Sequence, residues 1–286
     1  MNKLKTIFMG TPEFAVPCLN LLKNKVDLTA IVTQPDRPRG RGHKLTPSPV
    51  KIWAVENQIS VLQPERIKTE DFINQLAELQ PDLIVVVAFG QILSQKILDL
   101  PKFGCINVHA SLLPKYRGAA PIEWSLINGE TKTGVTTMLM DAGLDTGDML
   151  ISREVEIPSD MILPELKDKL MTLGADALNE TIDKLIEGTL KRHKQNDSLS
   201  NYAPMLTKET GLIDWDKSAS EIHNLVRGLY GGAYTIINGQ KYKIYRTKII
   251  NDKLEILEIQ APNSKKLLFA DFMRGHHDFK IPNASF

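Results

Sequence analysis

The chain has 286 residues, a formal net charge of +1 and 42% apolar residues. This length suits one large or two ordinary domains, and the apolar content supports a sizeable core. The near-neutral charge argues against a general polyanion binder but leaves room for a local basic patch. No signal peptide precedes the first predicted strand and no apolar run reaches ~18 residues, so we expect a soluble cytoplasmic protein without a membrane segment. Two distant cysteines in apolar segments, Cys18 and Cys105, are expected to be buried, reduced thiols.

Strands and helices alternate along the first part of the chain. Apolar runs predict strands at 4–10, 27–33, 82–88, 104–113, 133–140 and 149–157. Helical spacing predicts helices that begin near residue 14 and cover 48–59, 69–79, 92–100 and 161–188. The run at 82–88 is continuously apolar and mostly β-branched, which is typical of a central parallel strand buried on both faces. The alternation predicts an α/β fold: a doubly wound, mostly parallel, Rossmann-like domain.

The organisation changes near residue 190. A polar stretch predicts a linker, and it is followed by a helix at 219–230 and short strands at 234–237, 241–248 and 254–259. We therefore predict a large catalytic domain at 1–190, a linker at 191–206 and a small β-rich domain at 207–286.

The candidate catalytic residues are Asn107, His109 and Asp145. Asn107 and His109 are two residues apart in a predicted strand, so their side chains point to the same face. A Gly/Pro-rich loop at 111–118 follows at once, and an acidic turn at 141–148 offers the Asp145 carboxylate. An amide and an imidazole can donate to a developing oxyanion, while a carboxylate can orient the imidazole and relay a proton. The Asn-x-His pair alone would more often be two satisfied strand side chains.

These segments resemble the formyltransferases that use 10-formyltetrahydrofolate, and the rest of the chain narrows the resemblance to the methionyl-tRNA formyltransferases. The resemblance implies that Asn107, His109 and Asp145 are the catalytic trio. It also implies that the formyl group moves from 10-formyltetrahydrofolate to the α-amine of methionyl initiator tRNA through a tetrahedral intermediate. The second domain would be a small OB-like β-barrel that contacts tRNA.

The resemblance also implies which residues bind folate, although 85–93 read alone is simply a buried strand and its turn. Phe89 and Ile92 would wall the pterin, and the loops at 111–117 and 141–146 would border the formyl donor. The predicted folate-binding residues are Phe89, Gly90, Gln91, Ile92, Ser111, Leu112, Leu113, Pro114, Asp141 and Gly143.

Two basic regions are candidate tRNA surfaces. The segment 33–44 carries four cations and one acid, Asp36, and its prolines and glycines predict an irregular loop. A solvated surface loop is the alternative, but the resemblance implies a loop that enters the acceptor end of tRNA, with Arg41 the residue we single out. Over 208–280 there are 12 basic and 9 acidic residues, and 241–248 alternates basic and aromatic side chains. That alternation fits a solvated strand face or a phosphate-binding surface equally well. The predicted tRNA contacts are Arg37, Arg39, Arg41, Lys44, Lys241, Lys243 and Arg246.

The second domain departs from the family pattern. The chain has Gly228 to Gly232 where a Pro- and Trp-containing segment is usual, and a block of strand-forming sequence is missing between Lys248 and Lys253. Asn251 and Asp252 read as a tight turn joining what remains. We therefore expect a shortened, incompletely closed barrel.

Several other functions are disfavoured. The first turn, at 10–14, has one glycine and no G-x-G-x-x-G, which argues against NAD. His276 and His277 lack a ligand set at suitable spacing, so we expect no metal. A monomer is the default expectation. Two rivals stay open: a related enzyme with a sugar amine or water as acceptor, and a non-catalytic tRNA-binding protein.

Overall fold

The computed structural model describes residues 3–39 and 44–281, with the side chains of Arg39 and Lys44 also outside the description. The first elements in chain order are β1 (Lys5–Gly10), α1 (Val16–Lys25), β2 (Asp27–Val32), β3 (Arg37–Arg39), β4 (Lys44–Thr46), α2 (Pro49–Glu56), β5 (Val61–Leu62), α3 (Glu70–Glu78), β6 (Leu83–Val87), α4 (Gln95–Leu98), β7 (Cys105–His109), β8 (Arg117–Gly118), α5 (Pro121–Ile127), β9 (Lys132–Leu139) and β10 (Met149–Glu156). They are followed by α6 (Leu163–Glu187), β11 (Tyr202–Ala203), α7 (Ala219–Gly228), β12 (Tyr234–Ile237), β13 (Gln240–Ile250), β14 (Lys253–Gln260), β15 (Lys266–Leu268) and α8 (Phe269–Arg274).

In the described residues, seven strands form one mostly parallel sheet with the order β10-β9-β7-β6-β1-β2-β5. The pairs β1–β2, β1–β6, β2–β5 and β6–β7 are parallel, and β9 is antiparallel to β7. The chain moves from β1 to β2 and β5 on one side, and returns to β6 and β7 on the other. The switch point therefore lies between β1 and β6, and the predicted doubly wound, Rossmann-like fold is confirmed.

Apolar side chains from both faces hold this sheet. Every residue of β6 is buried, as predicted for a central strand. On α3, Phe72, Ile73 and Leu76 recur at helical spacing and pack into the same cluster as Ile84 and Val86. Burying this apolar surface is the main source of stability for the sheet, and it fixes where the carboxyl ends of β6 and β7 lie.

Both cysteines are buried free thiols, as expected from the sequence. Burial raises the pKa of the Cys18 and Cys105 thiols to about 12, because the thiolate would lose its hydration. They are therefore inert packing residues at neutral pH.

Three local predictions differ from the structure. The helix predicted at 92–100 is only α4, because Ser94 is in an extended conformation at its N-cap. The strand predicted at 104–113 ends at His109, and the buried hydroxyl of Ser111 donates to the Lys115 carbonyl at 2.6 Å, which turns the chain. The basic segment is not wholly irregular, since β3 and β4 pair antiparallel with Pro38 opposite Leu45. A two-stranded ladder leaves one edge of each strand unpaired, so a residue without an N–H is tolerated there.

The chain folds into two compact units that alternate along the sequence. Unit 1 comprises 1–117, 134–154 and 168–201, and unit 2 comprises 118–133, 155–167 and 202–286. The stretch predicted as a linker, 191–206, is thus divided between the two units.

Unit 2 contains an antiparallel sheet with the order β12-β13-β14-β15 in the part of the chain that is described. Over the described residues β12 and β15 are the two edges of this sheet, and the incompletely closed barrel stays a prediction. Asn251 and Asp252 have φ values of 50° and 62° and form the tight turn between β13 and β14 that the sequence predicts. The helix α7 begins with a reciprocal capping box between Ser218 and Glu221. No helix in the described residues is long and apolar enough to cross a membrane.

Candidate active site

Strand β7 carries two of the three predicted catalytic side chains. Asn107 lies beside Val86 of β6, and His109 lies opposite Thr136 of β9. Both are buried, with 9% and 6% of their surface exposed. Because they are two residues apart, their side chains share one face near the carboxyl end of a parallel strand, where α/β proteins bind ligands.

The two ring nitrogens of His109 have different surroundings. Nε2 lies 2.8 Å from the carbonyl oxygen of Tyr116, and Nδ1 lies 3.7 Å from Oδ2 of Asp145. A carbonyl oxygen only accepts, so Nε2 carries a hydrogen in both charge states of the ring. Nδ1 is then the nitrogen that gains or loses a proton, and it faces a carboxylate whose side chain is only 13% exposed.

The acidic turn has a shape that brings Asp145 to the imidazole. Oδ1 of Asp141 accepts from the Gly143 N–H at 3.0 Å and from the Thr146 hydroxyl at 2.6 Å. Asp145 has a φ of 53°, a conformation that a residue with a Cβ rarely adopts. A Cβ on Gly147 would lie 1.8 Å from the Leu139 carbonyl oxygen, so no larger residue fits this turn without moving the backbone.

The loop after β7 is held by buried hydroxyl groups. Thr136 Oγ1 donates to the Ser111 carbonyl at 2.8 Å and accepts from the Leu113 N–H at 3.2 Å. The Ser111 hydroxyl donates to the Lys115 carbonyl within the same loop. The loop is therefore a fixed surface next to His109, whose outer residues Leu112 and Pro114 are partly exposed while Leu113 is buried.

The turn after β6 divides the other predicted folate residues. Phe89 is 2% exposed and packs in the core of the sheet, whereas Ile92 is 67% exposed and Gly90 lies on the surface. The Phe89 carbonyl accepts from the Thr11 hydroxyl at 3.1 Å and from the Gln34 amide at 3.3 Å. Gln91 accepts from the Ile67 N–H at 3.0 Å. The structure thus places these residues on one turn, with only some of them facing solvent.

Strands β3 and β4, which carry Arg37, Arg39 and Lys44, are called the basic hairpin here, and Asp36 holds its base. Its two carboxylate oxygens accept from Lys51 Nζ at 2.7 Å and from Gln63 Nε2 at 2.8 Å. These two hydrogen bonds lower the pKa of Asp36 and keep it ionised. Arg37 pairs with Glu65 at 3.2 Å on the surface. Arg39 and Lys44 lie in β3 and β4, and Arg41 lies outside the described residues.

The predicted tRNA contacts in unit 2 lie on β13. Lys241 Nζ lies 3.4 Å from the centre of the Tyr234 ring, and Arg246 forms an ion pair with Glu165 at 3.1 Å. Lys243 is opposite Tyr234 in the ladder and is half-buried. Lys241 and Lys243 are two residues apart and share a face of the strand.

One residue beside the site, Gln195, was not identified from the sequence. It lies in the polar stretch that the sequence predicts as a linker, whereas its partner Arg117 ends the loop at 111–117. The Gln195 amide contacts both Arg117 and the acidic turn. Nothing in a stretch of lysine, glutamine and asparagine marks one residue as half-buried, so only the fold reveals the contact. Among the described residues, no group of three His, Cys, Asp or Glu side chains could hold a metal ion.

Comparisons with known proteins show what the whole chain is similar to. Residues 4–182 match the family described as Formyl transferase, and residues 205–255 match its C-terminal domain. A methionyl-tRNA formyltransferase of Geobacter metallireducens is 51% identical over 300 residues, covering 96% of each chain. A solved methionyl-tRNA formyltransferase from Clostridium thermocellum is similar with a TM-score of 0.62 and 16% identity, covering 90% of this chain and 98% of that one. WlaRD, a sugar 3N-formyl transferase solved in the presence of dTDP and 5-N-formyl-THF, has a TM-score of 0.67 and 22% identity, covering 94% and 97%.

Proposed function

The chain belongs to the formyl transferase family, with methionyl-tRNA formyltransferases as full-length relatives, and from that premise we propose its reaction. It transfers the formyl group of 10-formyltetrahydrofolate to the α-amine of methionyl initiator tRNA. Asn107, His109 and Asp145 are the catalytic residues in this proposal. The protein acts as a monomer in the cytoplasm. The observation that carries this assignment is the buried pair of His109 and Asp145, with Nδ1 and Oδ2 3.7 Å apart, next to the strand face that Asn107 shares with His109.

The proposed step forms one carbon–nitrogen bond and breaks another. The amine nitrogen attacks the formyl carbon, and the carbonyl oxygen becomes an oxyanion. The Asn107 amide donates to that oxygen, and the His109 imidazolium supplies a compensating charge from a buried position. The intermediate then collapses, N10 of the folate leaves with a proton, and the amine nitrogen loses one.

Asp145 has two roles in this proposal. Its carboxylate faces Nδ1 of His109 at 3.7 Å and orients the imidazole ring. It also accepts the proton released by the attacking amine, directly or through one water. The His109–Asp145 pair passes one proton on to N10 as the folate leaves, so the step neither gains nor loses a proton overall.

The two substrates are bound by different parts of the chain. The loop 111–117, the turns at 88–92 and 141–147 and their exposed backbone groups form the folate site in this proposal. WlaRD, solved with a formylated folate, has the same fold and supports a folate donor. The basic hairpin and the face of β13 that bears Lys241 and Lys243 contact the tRNA phosphates.

A formylation assay tests the proposal. The parent protein and His109→Ala are incubated with methionyl initiator tRNA and 10-formyltetrahydrofolate, and formyl-methionine is measured after mild deacylation. We expect kcat/KM to fall by about 10²- to 10⁴-fold, the usual contribution of a general acid–base group. His277→Ala, an exposed histidine of unit 2, is the control and should match the parent.

The same assay separates the rival acceptors. A folded parent that binds folate but does not formylate methionyl-tRNA contradicts the tRNA acceptor, and amino-sugar nucleotides and water are tested next. Neutralising Arg37, Arg39, Arg41 and Lys44 together should abolish activity on tRNA. Full activity after that change would favour a small acceptor. The non-catalytic tRNA-binding protein is tested separately: a His109→Ala change that leaves all in-vivo function intact would favour it.

A further inference from the structure

The side chain of Gln195 joins the two loops that make the proposed active site. Its Nε2 donates to the carbonyl oxygens of Asp145 and Gly147, each at 2.8 Å. Its Oε1 accepts from Nε and Nη2 of Arg117 at 3.0 and 2.8 Å. All four residues belong to unit 1. One amide therefore links the acidic turn to the end of the loop that follows β7.

The chemistry of these partners fixes the orientation of the amide. A guanidinium group only donates, so it must face the amide oxygen, and two carbonyl groups only accept, so they must face the NH₂. Flipping the Gln195 amide would lose all four hydrogen bonds. The Arg117 side chain is 12% exposed and is further held by Asp197 at 2.7 Å. The link is therefore preorganised and largely shielded from solvent.

The segment that carries Gln195 is itself anchored. His193 and Met149 exchange backbone hydrogen bonds at 2.8 and 2.9 Å, which places the segment beside the first residue of β10. Between residues 191 and 199, Gln195 is the only residue that is half-buried, and the others are exposed. Its burial in an otherwise exposed segment indicates a specific contact rather than general packing.

The Gln195 contacts lie next to residues whose backbone conformation is strained. Asp145 has a φ of 53° and Tyr116 a φ of 59°, both in the left-handed region that disfavours side chains with a Cβ. The carbonyl of Asp145 is held by Gln195. The carbonyl of Tyr116 accepts from His109, and its N–H donates to the side chain of Asn201 in the same segment. The segment 195–201 thus restrains the backbone on both sides of the His109–Asp145 pair.

We propose that Gln195 is a positioning residue for formyl transfer: it holds the Asp145 turn in its strained conformation so that the carboxylate faces Nδ1 of His109. This inference rests on the proposed roles of His109 and Asp145. Gln195 touches neither reacting atom in this scheme and acts on the reaction through Asp145. Loss of the two N–H donors should therefore lower kcat far more than it raises the KM for folate, whose proposed site includes both loops that Gln195 contacts, and should leave the KM for tRNA almost unchanged.

Two variants and one neighbour test the contact. Gln195→Glu keeps the size of the side chain and its partner Arg117, but it puts an acceptor oxygen against the carbonyls of Asp145 and Gly147. Gln195→Leu removes all four hydrogen bonds. Lys194→Ala, at the exposed adjacent position, is the matched control. We expect kcat to fall about 10- to 100-fold in both Gln195 variants, at unchanged melting temperature within a few degrees, and to stay at the parent value in Lys194→Ala.

Coupling to Asp145 distinguishes positioning from a general structural role. In an Asp145→Asn background, Gln195→Leu should cause less than a twofold further loss of kcat. If Gln195→Leu lowers activity equally in both backgrounds, or if Gln195→Glu is fully active, Gln195 does not act through Asp145 and the inference fails.

A measurement without substrates separates this inference from the proposed reaction. Amide hydrogen exchange over 141–149 should be about tenfold faster in Gln195→Leu than in the parent or in Lys194→Ala. Unchanged exchange there would overturn the inference even if the parent formylates methionyl-tRNA. Faster exchange in Gln195→Leu, when the parent formylates no acceptor, would reject the proposed reaction and keep the structural contact.

Discussion

The active-site region of unit 1 and the basic face of unit 2 handle polar groups in opposite ways. In unit 1 the polar side chains are buried or half-buried, and each contacts the next. The contacts run from Arg117 through Gln195 to the Asp145 turn and the His109 ring. In unit 2 the cations of β13 are partly exposed and are paired one by one with a ring or a carboxylate. The difference matches the tasks we propose: a reaction needs one fixed geometry, whereas a phosphate backbone needs only positive charge at several points.

This contrast has an energetic consequence. Groups that act as a unit give strongly non-additive effects when they are removed together, because losing one already disables the others. Exposed charges that are far apart contribute small and nearly additive terms. Double variants in each region therefore show whether the effects of two substitutions are non-additive, as expected in unit 1, or additive, as expected in unit 2.

The largest expected effect is in the buried pair. We expect Asp145→Asn to lower kcat/KM by about 10³-fold, because the proton acceptor is lost and the imidazolium loses its partner. The double variant His109→Ala, Asp145→Asn should be hardly slower than His109→Ala alone. Steady-state formylation of methionyl-tRNA measures this, with Asp71→Asn on the surface of α3 as the control. Fully multiplicative losses would mean that the two side chains work independently.

A smaller effect is expected on the basic face. Lys241→Ala and Lys243→Ala should each raise KM for tRNA about two- to fivefold with little change in kcat, and the double variant should show the product of the two. Removing one lysine that contacts a phosphate should also make the plot of log affinity against log salt concentration less steep, by about 0.9. Filter binding at several salt concentrations checks the slope, with Lys217→Ala as an exposed control in unit 2. A coupled loss, or a loss of kcat, would show that this face does more than supply charge.

The smallest effect is a pH dependence of stability, and it tests whether unit 2 also contains a coupled buried group. His223 is buried on α7, where Nε2 donates to the Ser159 carbonyl and Nδ1 contacts the Thr247 hydroxyl, each at 2.9 Å. Desolvation, helped by the charge of Arg227, lowers the pKa of His223 below its ordinary 6.5, although the Ser159 carbonyl and Asp160 oppose the shift. Below pH 6.5 the unfolded chain takes up a proton more readily than the folded chain.

The free energy of unfolding should therefore decrease as the pH falls from 7.5 to 5. Urea unfolding at several pH values measures this. His223→Asn should be less stable throughout but should show a shallower dependence on pH in this range, while His277→Asn should keep the slope of the parent. An equal slope in His223→Asn would assign the pH dependence to other groups.

Much of the fold could be predicted from the sequence because its signals are local. The apolar β-branched run of β6, the spacing of α3 and the Asn251–Asp252 turn are each encoded within a few residues. The same holds for Asn107 and His109, whose i, i+2 spacing on a strand places them together. The short strands β3, β4 and β5 were not predicted, because pairing with a neighbour, and not propensity, makes them strands.

The residues that hold the candidate site in place could not be predicted, because their contacts are distant in sequence. Gln195 is 50 residues from Asp145 in sequence, and its environment depends on the return of the chain after α6. A glutamine in a polar stretch has the same sequence signature whether it is solvated or holds four hydrogen bonds. Phe89 is the opposite case, a residue expected at the folate site that lies in the core. Its burial depends on how the turn after β6 folds back, which the sequence does not reveal.

The alternation of the two units along the chain also constrains how the protein is made. Helix α5, in the segment 118–133 of unit 2, packs against α7, which is encoded about a hundred residues later. During vectorial synthesis on a ribosome, the apolar face of α5 therefore stays uncovered until α7 has emerged from the exit tunnel. Unit 1 likewise waits for Gln195 and Asn201 to close its two strained loops. A nascent chain stalled near residue 190 would thus be a client for chaperones, and competence for catalysis would arise only late in translation.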